Sequence, residues 1–170
     1  MKKILAISGS AGANSSNTLL LKSIQAHYSG EYEIEIFDKL REFPLFRPED
    51  FEKGIPELVQ ELKDKILAAD AIIMSTPEYT HNIPAVLKNA FEWMTASGEF
   101  AEKKILPITF TPREPRGEHA MQSLLFSLKT MNARIVTQLP LYKSEVKIEN
   151  GKLELNEDYI FLLEEALKLL

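Results

Sequence analysis

The sequence predicts an α/β chain built as a doubly wound, five-stranded parallel sheet with helices on both faces. Three observations carry that expectation. Short apolar runs alternate with longer segments of helical period, the pattern of successive βαβ units. The runs are apolar at consecutive positions, as strands covered by helices on both sides must be. Finally, the chain has 170 residues, about what five βα units need and within the roughly 100–200 residues of one domain. Residues 1–170 are therefore expected to form a single domain.

The elements follow in order. Lys3-Ile4-Leu5-Ala6-Ile7-Ser8 is the first strand. Ser16 to about Ser29 places Leu19, Leu20, Ile24 and Tyr28 on one buried helical stripe. Glu31 to Phe37 alternates charged and apolar residues, as a half-exposed edge strand does. Leu40 to Gly54 holds Phe43, Pro44, Leu45, Phe46, Pro48 and Phe51 without a period. It reads as an apolar loop that either packs on its own domain or walls a site or subunit contact. Pro56 suits a first helical turn, and Leu58, Leu62, Ile66 and Leu67 continue a helix to about Ala69. Asp70 to Ser75 is the third strand. Pro84 to about Ser97 is the next helix, with Gly98 past its end. Lys104 to Phe110 is the fourth strand, in spite of Pro107, which has no N–H for a ladder. A loop from Thr111 to Gly117 and a helix from about Glu118 to Met131 lead to the fifth strand, Arg134 to Leu139. Asn150-Gly151 favours a tight hairpin between Val146–Ile148 and Lys152–Glu154. Asn156 caps a last helix carrying Leu162, Leu163, Ala166, Leu167 and Leu170.

Composition narrows the chemistry. Lys+Arg 20 against Asp+Glu 25 gives a formal charge of -5, which argues against a nucleic-acid partner. With no cysteine, disulfides, thiolate nucleophiles and cysteine metal sites are excluded. His27, His81 and His119 show no ligand spacing, so no metal is expected. The apolar run near the N-terminus is too short for a signal segment of about 7–15 residues, and no run approaches the ~20 residues of a membrane helix. A soluble cytoplasmic protein without a membrane partner is expected.

In doubly wound sheets, ligands bind outside the carboxyl ends of the strands. Three loops fall there: Gly9–Asn17, Thr76–Asn82 and Thr109–Gly117. The first offers small residues, hydroxyls and a helix N-terminus, and it carries no Lys or Arg. It fits either a neutral cradle for a monoester phosphate or a plain helix cap at Ser15, Ser16 and Asn17. It lacks the Gly-Lys-Ser/Thr of a P-loop and the glycine spacing of a dinucleotide fingerprint. The second loop is stiffened by Pro77 and Pro84 and presents Tyr79 and backbone N–H groups to a planar heterocycle.

With these residues set out, the chain resembles the NADPH-dependent FMN reductase family, flavodoxin-like proteins that include quinone, azo and chromate reductases. Residues 76–93, TPEYTHNIPAVLKNAFEW, are similar to the family signature P-E-Y-N-x-x-I-P-x-x-L-K-N-x-x-D/E-W nearly throughout. Phe43-Pro44-Leu45-Phe46 resembles the family's loop after strand two, and Asn132 to Val136 its approach to strand five. Gly9, Ser10, Ser15 and Asn17 match the phosphate loop G-S-x-R-x-x-S-x-N, with Gly12 where the arginine usually stands. That costs a charge-assisted hydrogen bond of about 1.5–3 kcal/mol.

The resemblance implies strand order 2-1-3-4-5 and FMN as cofactor. FMN would be held by Ser10, Ser15, Ser16, Asn17 and Thr18 and by Pro77, Glu78, Tyr79, Thr80, His81 and Asn82, with Thr111 and Arg113 as further cofactor-binding residues, for the flavin or the nicotinamide nucleotide. A negative charge at position 17 is then expected to weaken binding. NADPH or NADH would pass hydride to flavin N5, and the flavin would then reduce a quinone, azo compound, metal oxyanion or free flavin. No catalytic side chain is implied, because the flavin carries the chemistry. A homodimer or homotetramer is implied, with Phe46, Phe91, Trp93 and Phe100 divided between core and interface. Arg113 and Arg116 replace a glycine-rich family loop, where they either meet phosphates or stay solvated. A flavin-holding electron carrier that does not oxidise NADPH is the alternative.

Overall fold

A computed structural model describes residues 1–170. The chain runs β1 (Lys2–Ser8), α1 (Ser16–His27), β2 (Tyr32–Phe37), α2 (Glu57–Ala68), β3 (Ala71–Thr76), α3 (Ala85–Met94), β4 (Lys104–Thr111), α4 (Glu118–Thr130), β5 (Arg134–Ile135), β6 (Leu139–Tyr142), β7 (Lys147–Glu149), β8 (Lys152–Glu154) and α5 (Glu157–Leu169). The main sheet has the order β2-β1-β3-β4-β5, with β6 also paired to β4. Every pairing in it is parallel. This is the flavodoxin-like arrangement expected.

The core is two layers, one on each sheet face, as the continuously apolar runs require. Leu20, Leu21 and Ile24 of α1 and Leu163, Ala166 and Leu167 of α5 cover Ile4, Ala6, Ile73, Leu106 and Phe110. On the other face, α2, α3 and α4 cover Leu5, Ile7, Ile72, Met74 and Ile105. No helix is long and apolar enough to cross a membrane.

The expected fifth strand is interrupted. β5 pairs Lys104 with Arg134 and Ile105 with Ile135, whereas β6 pairs Ile108 with Leu139. The offset grows from 30 to 31, so one extra residue is bulged out within 136–138. The cause lies across the ladder. The Ile105 carbonyl accepts the Val136 N–H at 3.1 Å, so Pro107, two residues on, faces the same neighbour with no N–H to give. β4 itself stays unbroken, and the defect falls on the edge strand, where bulges are tolerated.

Two other expectations are adjusted. α3 ends at Met94, short of Ser97, because residues 95–103 form a turn tied to α2 by a buried ion pair. Residues 40–54 contain two short 3-10 turns, Leu40–Glu42 and Pro48–Lys53, and the loop packs on its own chain. Asn89 clamps it, accepting the Phe46 N–H at 2.8 Å and donating to the Pro44 carbonyl at 3.0 Å; Trp93 Nε1 donates to the same carbonyl at 2.9 Å. Leu45 is left 74% exposed at its tip. Phe91, Trp93 and Phe100 are core residues. The Asn150-Gly151 hairpin and the Asn156 cap, which accepts the Tyr159 N–H at 2.7 Å, form as expected.

Candidate functional site

The floor of the site is a level of buried hydroxyls. Ser8 pairs with Ser75 across β1 and β3, and Thr76 with Thr109 across β3 and β4. The three strands therefore change from aliphatic to hydroxyl side chains at the same height. Ser8 contacts Thr18 Oγ1 at 2.9 Å, Ser75 donates to Asn17 Oδ1 at 2.7 Å, Thr76 donates to the Pro77 carbonyl at 3.0 Å, and Thr111 donates to the Arg116 carbonyl at 2.7 Å. Thr109 Oγ1 is buried without a partner. Gly117 lies directly on it: a Cβ there would stand 3.0 Å from Thr109 Oγ1 and 3.0 Å from Thr111 Cγ2, and its φ is +106°. Both the space and the backbone require glycine.

In the first loop Ser15 is the α1 N-cap, its Oγ accepting the Asn17 N–H at 3.1 Å. The N–H groups of Asn14, Ser15, Ser16 and Thr18 find no acceptor within the protein. They make the N-terminus of α1 a donor set suited to an anion. Ser10 Oγ accepts the Gly12 N–H at 3.3 Å. Gly9 is crowded, since a Cβ would meet Leu87 at 2.8 Å, but at Gly12 the nearest atom would be 3.7 Å away. Asn17 differs from expectation. It is 1% exposed, its Nδ2 donates to the Phe110 carbonyl at 3.3 Å, and its Oδ1 accepts from Ser75. A carbonyl only accepts, which fixes the amide's orientation. Asn17 thus ties α1 to β3 and β4 and holds the loop, rather than reaching toward an anion.

The second loop is a tight turn. Tyr79 and Asn82 exchange both backbone hydrogen bonds at 2.9 Å, with Thr80 at φ 51° and His81 at φ 55°. Two left-handed residues make a type I′ geometry, and a β-branched Thr in it is strained. Such strain clusters at ligand sites. The Glu78, Thr80 and His81 N–H groups have no protein acceptor, and Tyr79 is exposed. Pro77 is buried beneath the turn. The Glu78 side chain, 10% exposed, points at α4: Oε2 accepts the Ala120 N–H at 3.0 Å, and Oε1 lies 3.8 Å from His81 Nδ1. The His81 and His119 rings meet edge to face at 4.6 Å.

In the third loop the Arg116 N–H donates to the Arg113 carbonyl at 3.0 Å. Both arginines are exposed, and neither guanidinium pairs with a carboxylate. Beyond the loop, burial first and then the carboxylates of Glu114, Glu145 and Glu118 push the Tyr142 phenol up, so it stays a neutral group. A separate cavity of about 470 Å³ lies between α3 and α4, lined by Phe91, Met94, Phe100 and Phe126 among others, away from the strand ends.

The three predicted loops therefore converge at the carboxyl ends of β1, β3 and β4. Ser10, Ser15, Ser16 and Thr18 gather at one end, and Pro77 to Asn82 with Thr111 and Arg113 at the other. Of the strand-end hydroxyls the sequence reading singles out Thr111 but not Ser8, Ser75, Thr76 or Thr109, nor does it mark the α4 N-terminus, although the switch from aliphatic to Ser or Thr at the end of each apolar run is a visible signal.

The model of one protein family, described as NADPH-dependent FMN reductase, matches residues 2–144. The chain belongs to this family. Among relatives, it is 39% identical over 103 residues to the NADH:(hydroxy)cinnamate reductase subunit CrdA of Vibrio ruber, covering 60% of this chain and 50% of that protein. It is 27% identical over 146 residues to an NADPH azoreductase of a Bacillus species, covering 85% and 79%. The match thus spans about half the length of CrdA. Among solved structures, FerB, a flavoenzyme NAD(P)H:(acceptor) oxidoreductase from Paracoccus denitrificans, superposes with a TM-score of 0.84 at 23% identity, covering 99% of this chain and 95% of that one. The flavodoxin-like fold of the family is thereby shared from end to end.

Proposed function

We propose that this family member binds FMN across the three loops, oxidises NADPH or NADH, and passes two electrons to a small-molecule acceptor such as a quinone, an azo compound, a metal oxyanion or free flavin. The observation that carries the reading is the donor set of Asn14, Ser15, Ser16 and Thr18 at the N-terminus of α1. It is preformed, and without lysine or arginine it suits a singly esterified phosphate held by hydrogen bonds better than a triphosphate with its metal. The Glu78, Thr80 and His81 N–H groups would meet the polar edge of the ring, with Tyr79 alongside. When bound, FMN supplies the hydride chemistry; the protein's part is to hold and orient it. Arg113 and Arg116, unpaired beside the cleft, would receive phosphate groups of the nicotinamide nucleotide. A homodimer or homotetramer in the cytoplasm belongs to the same reading, with exposed Leu45 on its clamped loop as an apolar contact.

Titration with FMN tests this, followed by anaerobic mixing with NADPH. Quenching of flavin fluorescence and then bleaching of the oxidised flavin band are expected. No binding at tens of micromolar sinks the proposal. Binding without bleaching leaves an electron carrier.

Gly12→Arg restores the family's arginine where there is room for it. It is expected to tighten FMN binding about tenfold or more, the effect of one charge-assisted hydrogen bond of ~1.5–3 kcal/mol, and to make the affinity more sensitive to salt. Unchanged affinity at low salt would place the phosphate elsewhere.

A further inference from the structure

Glu78 stands in the family signature, yet its carboxylate is turned onto the protein. We propose that Glu78 is a positioning residue: it holds the Tyr79–Asn82 turn against the N-terminus of α4 and so sets the width of the cleft between the second and third loops. The inference rests on the reading of that cleft as an FMN site.

The need for such a residue arises at Gly117. A helix leaves its first N–H groups unsatisfied, and a Ser, Thr, Asp or Asn side chain at the N-cap normally answers one of them. Here the N-cap is Gly117, with no side chain to offer. None is admissible, since a Cβ would press on Thr109 and Thr111 at 3.0 Å and the backbone is left-handed. Ala120 is fully buried, so water cannot satisfy its N–H, and an unmade hydrogen bond there would be costly. Glu78 closes the gap from 42 residues earlier, at 3.0 Å. A carboxylate also suits the positive end of the helix dipole. The edge-to-face contact of His81 with His119 is a second tie between the same two segments. Because Oε2 accepts from Ala120 and Oε1 faces His81, the side chain acts on the cleft through its walls. The Glu78, Thr80 and His81 N–H groups stay free for the ligand.

The test compares wild type, Glu78→Ala and Glu78→Gln by FMN titration and by hydrogen exchange of the Ala120 amide without flavin. Glu78→Ala is expected to weaken FMN binding about tenfold and to speed Ala120 exchange by at least as much, as loss of a cap should. Glu78→Gln keeps an acceptor oxygen for the same N–H and is expected to hold both quantities within about threefold of wild type. Glu78→Ala with wild-type FMN affinity overturns the inference alone. Glu78→Gln as damaging to affinity as alanine overturns it too, because the charge itself would then be what the flavin senses. A wild-type chain that takes up no FMN removes the functional reading first, and this inference with it.

Discussion

Lys63→Met is expected to lower the unfolding free energy by about 3–5 kcal/mol, the cost of leaving one half of a buried ion pair alone. Lys63 on α2 and Glu99 in the turn before β4 have side chains only 4% and 7% exposed and stand 3.2 Å apart. Ser97 completes the set: it accepts from the Lys63 ammonium and donates to the other Glu99 oxygen at 2.8 Å. With the ammonium gone, Glu99 keeps a single hydroxyl donor in a place water does not reach. The double variant Lys63→Met with Glu99→Leu removes the stranded charge and should recover most of the loss, since well-packed apolar pairs often match buried ion pairs. Urea unfolding with a constant m-value is the measurement. A single-variant loss below about 1 kcal/mol would mean that the pair is solvated. The pair sits where residues 95–103 lead into the start of β4, opposite the candidate site, so the FMN affinity of the surviving fold should be unchanged.

Asn17→Asp is expected to cost stability and FMN binding together, about 3 kcal/mol of stability at neutral pH. From sequence the substitution looks like a charge set against a phosphate. The structure gives it another target, because the Nδ2 donor that bonds the Phe110 carbonyl at 3.3 Å becomes an oxygen facing an oxygen. Burial favours the protonated acid, which can still donate to that carbonyl, so the folded pKa should rise above the unfolded value of about 3.9. The folded state then binds more protons than the unfolded state. The variant should approach wild-type stability below pH ~4 and lose stability as pH rises from there, levelling off above the folded pKa. Thermal midpoints of both proteins across that range check it. A wild-type pH profile with only FMN affinity reduced would return Asn17 to the phosphate.

The limits of the linear sequence show in particular residues. The alternation of apolar runs and helical stripes placed the strands and helices, because period and turn chemistry act over a few residues. Ser15, the Asn150-Gly151 turn and the Asn156 cap were legible for the same reason. The break after Ile135 was not. Pro107 announced a missing N–H, but which neighbour would accommodate it depends on the direction that residue faces in the assembled ladder.

The site divides in the same way. Sequence alone brought the three loops to one end of a parallel sheet, because strand ends in a doubly wound chain must converge, and it marked the small-residue loop and the P-E-Y signature. Assembly assigned the individual roles. Asn17 reaches across 58 and 93 residues to Ser75 and Phe110, Glu78 across 42 to Ala120, and Lys63 across 36 to Glu99. A polar side chain's role is set by whichever unsatisfied group it meets when water is excluded. That partner exists only after distant segments have packed.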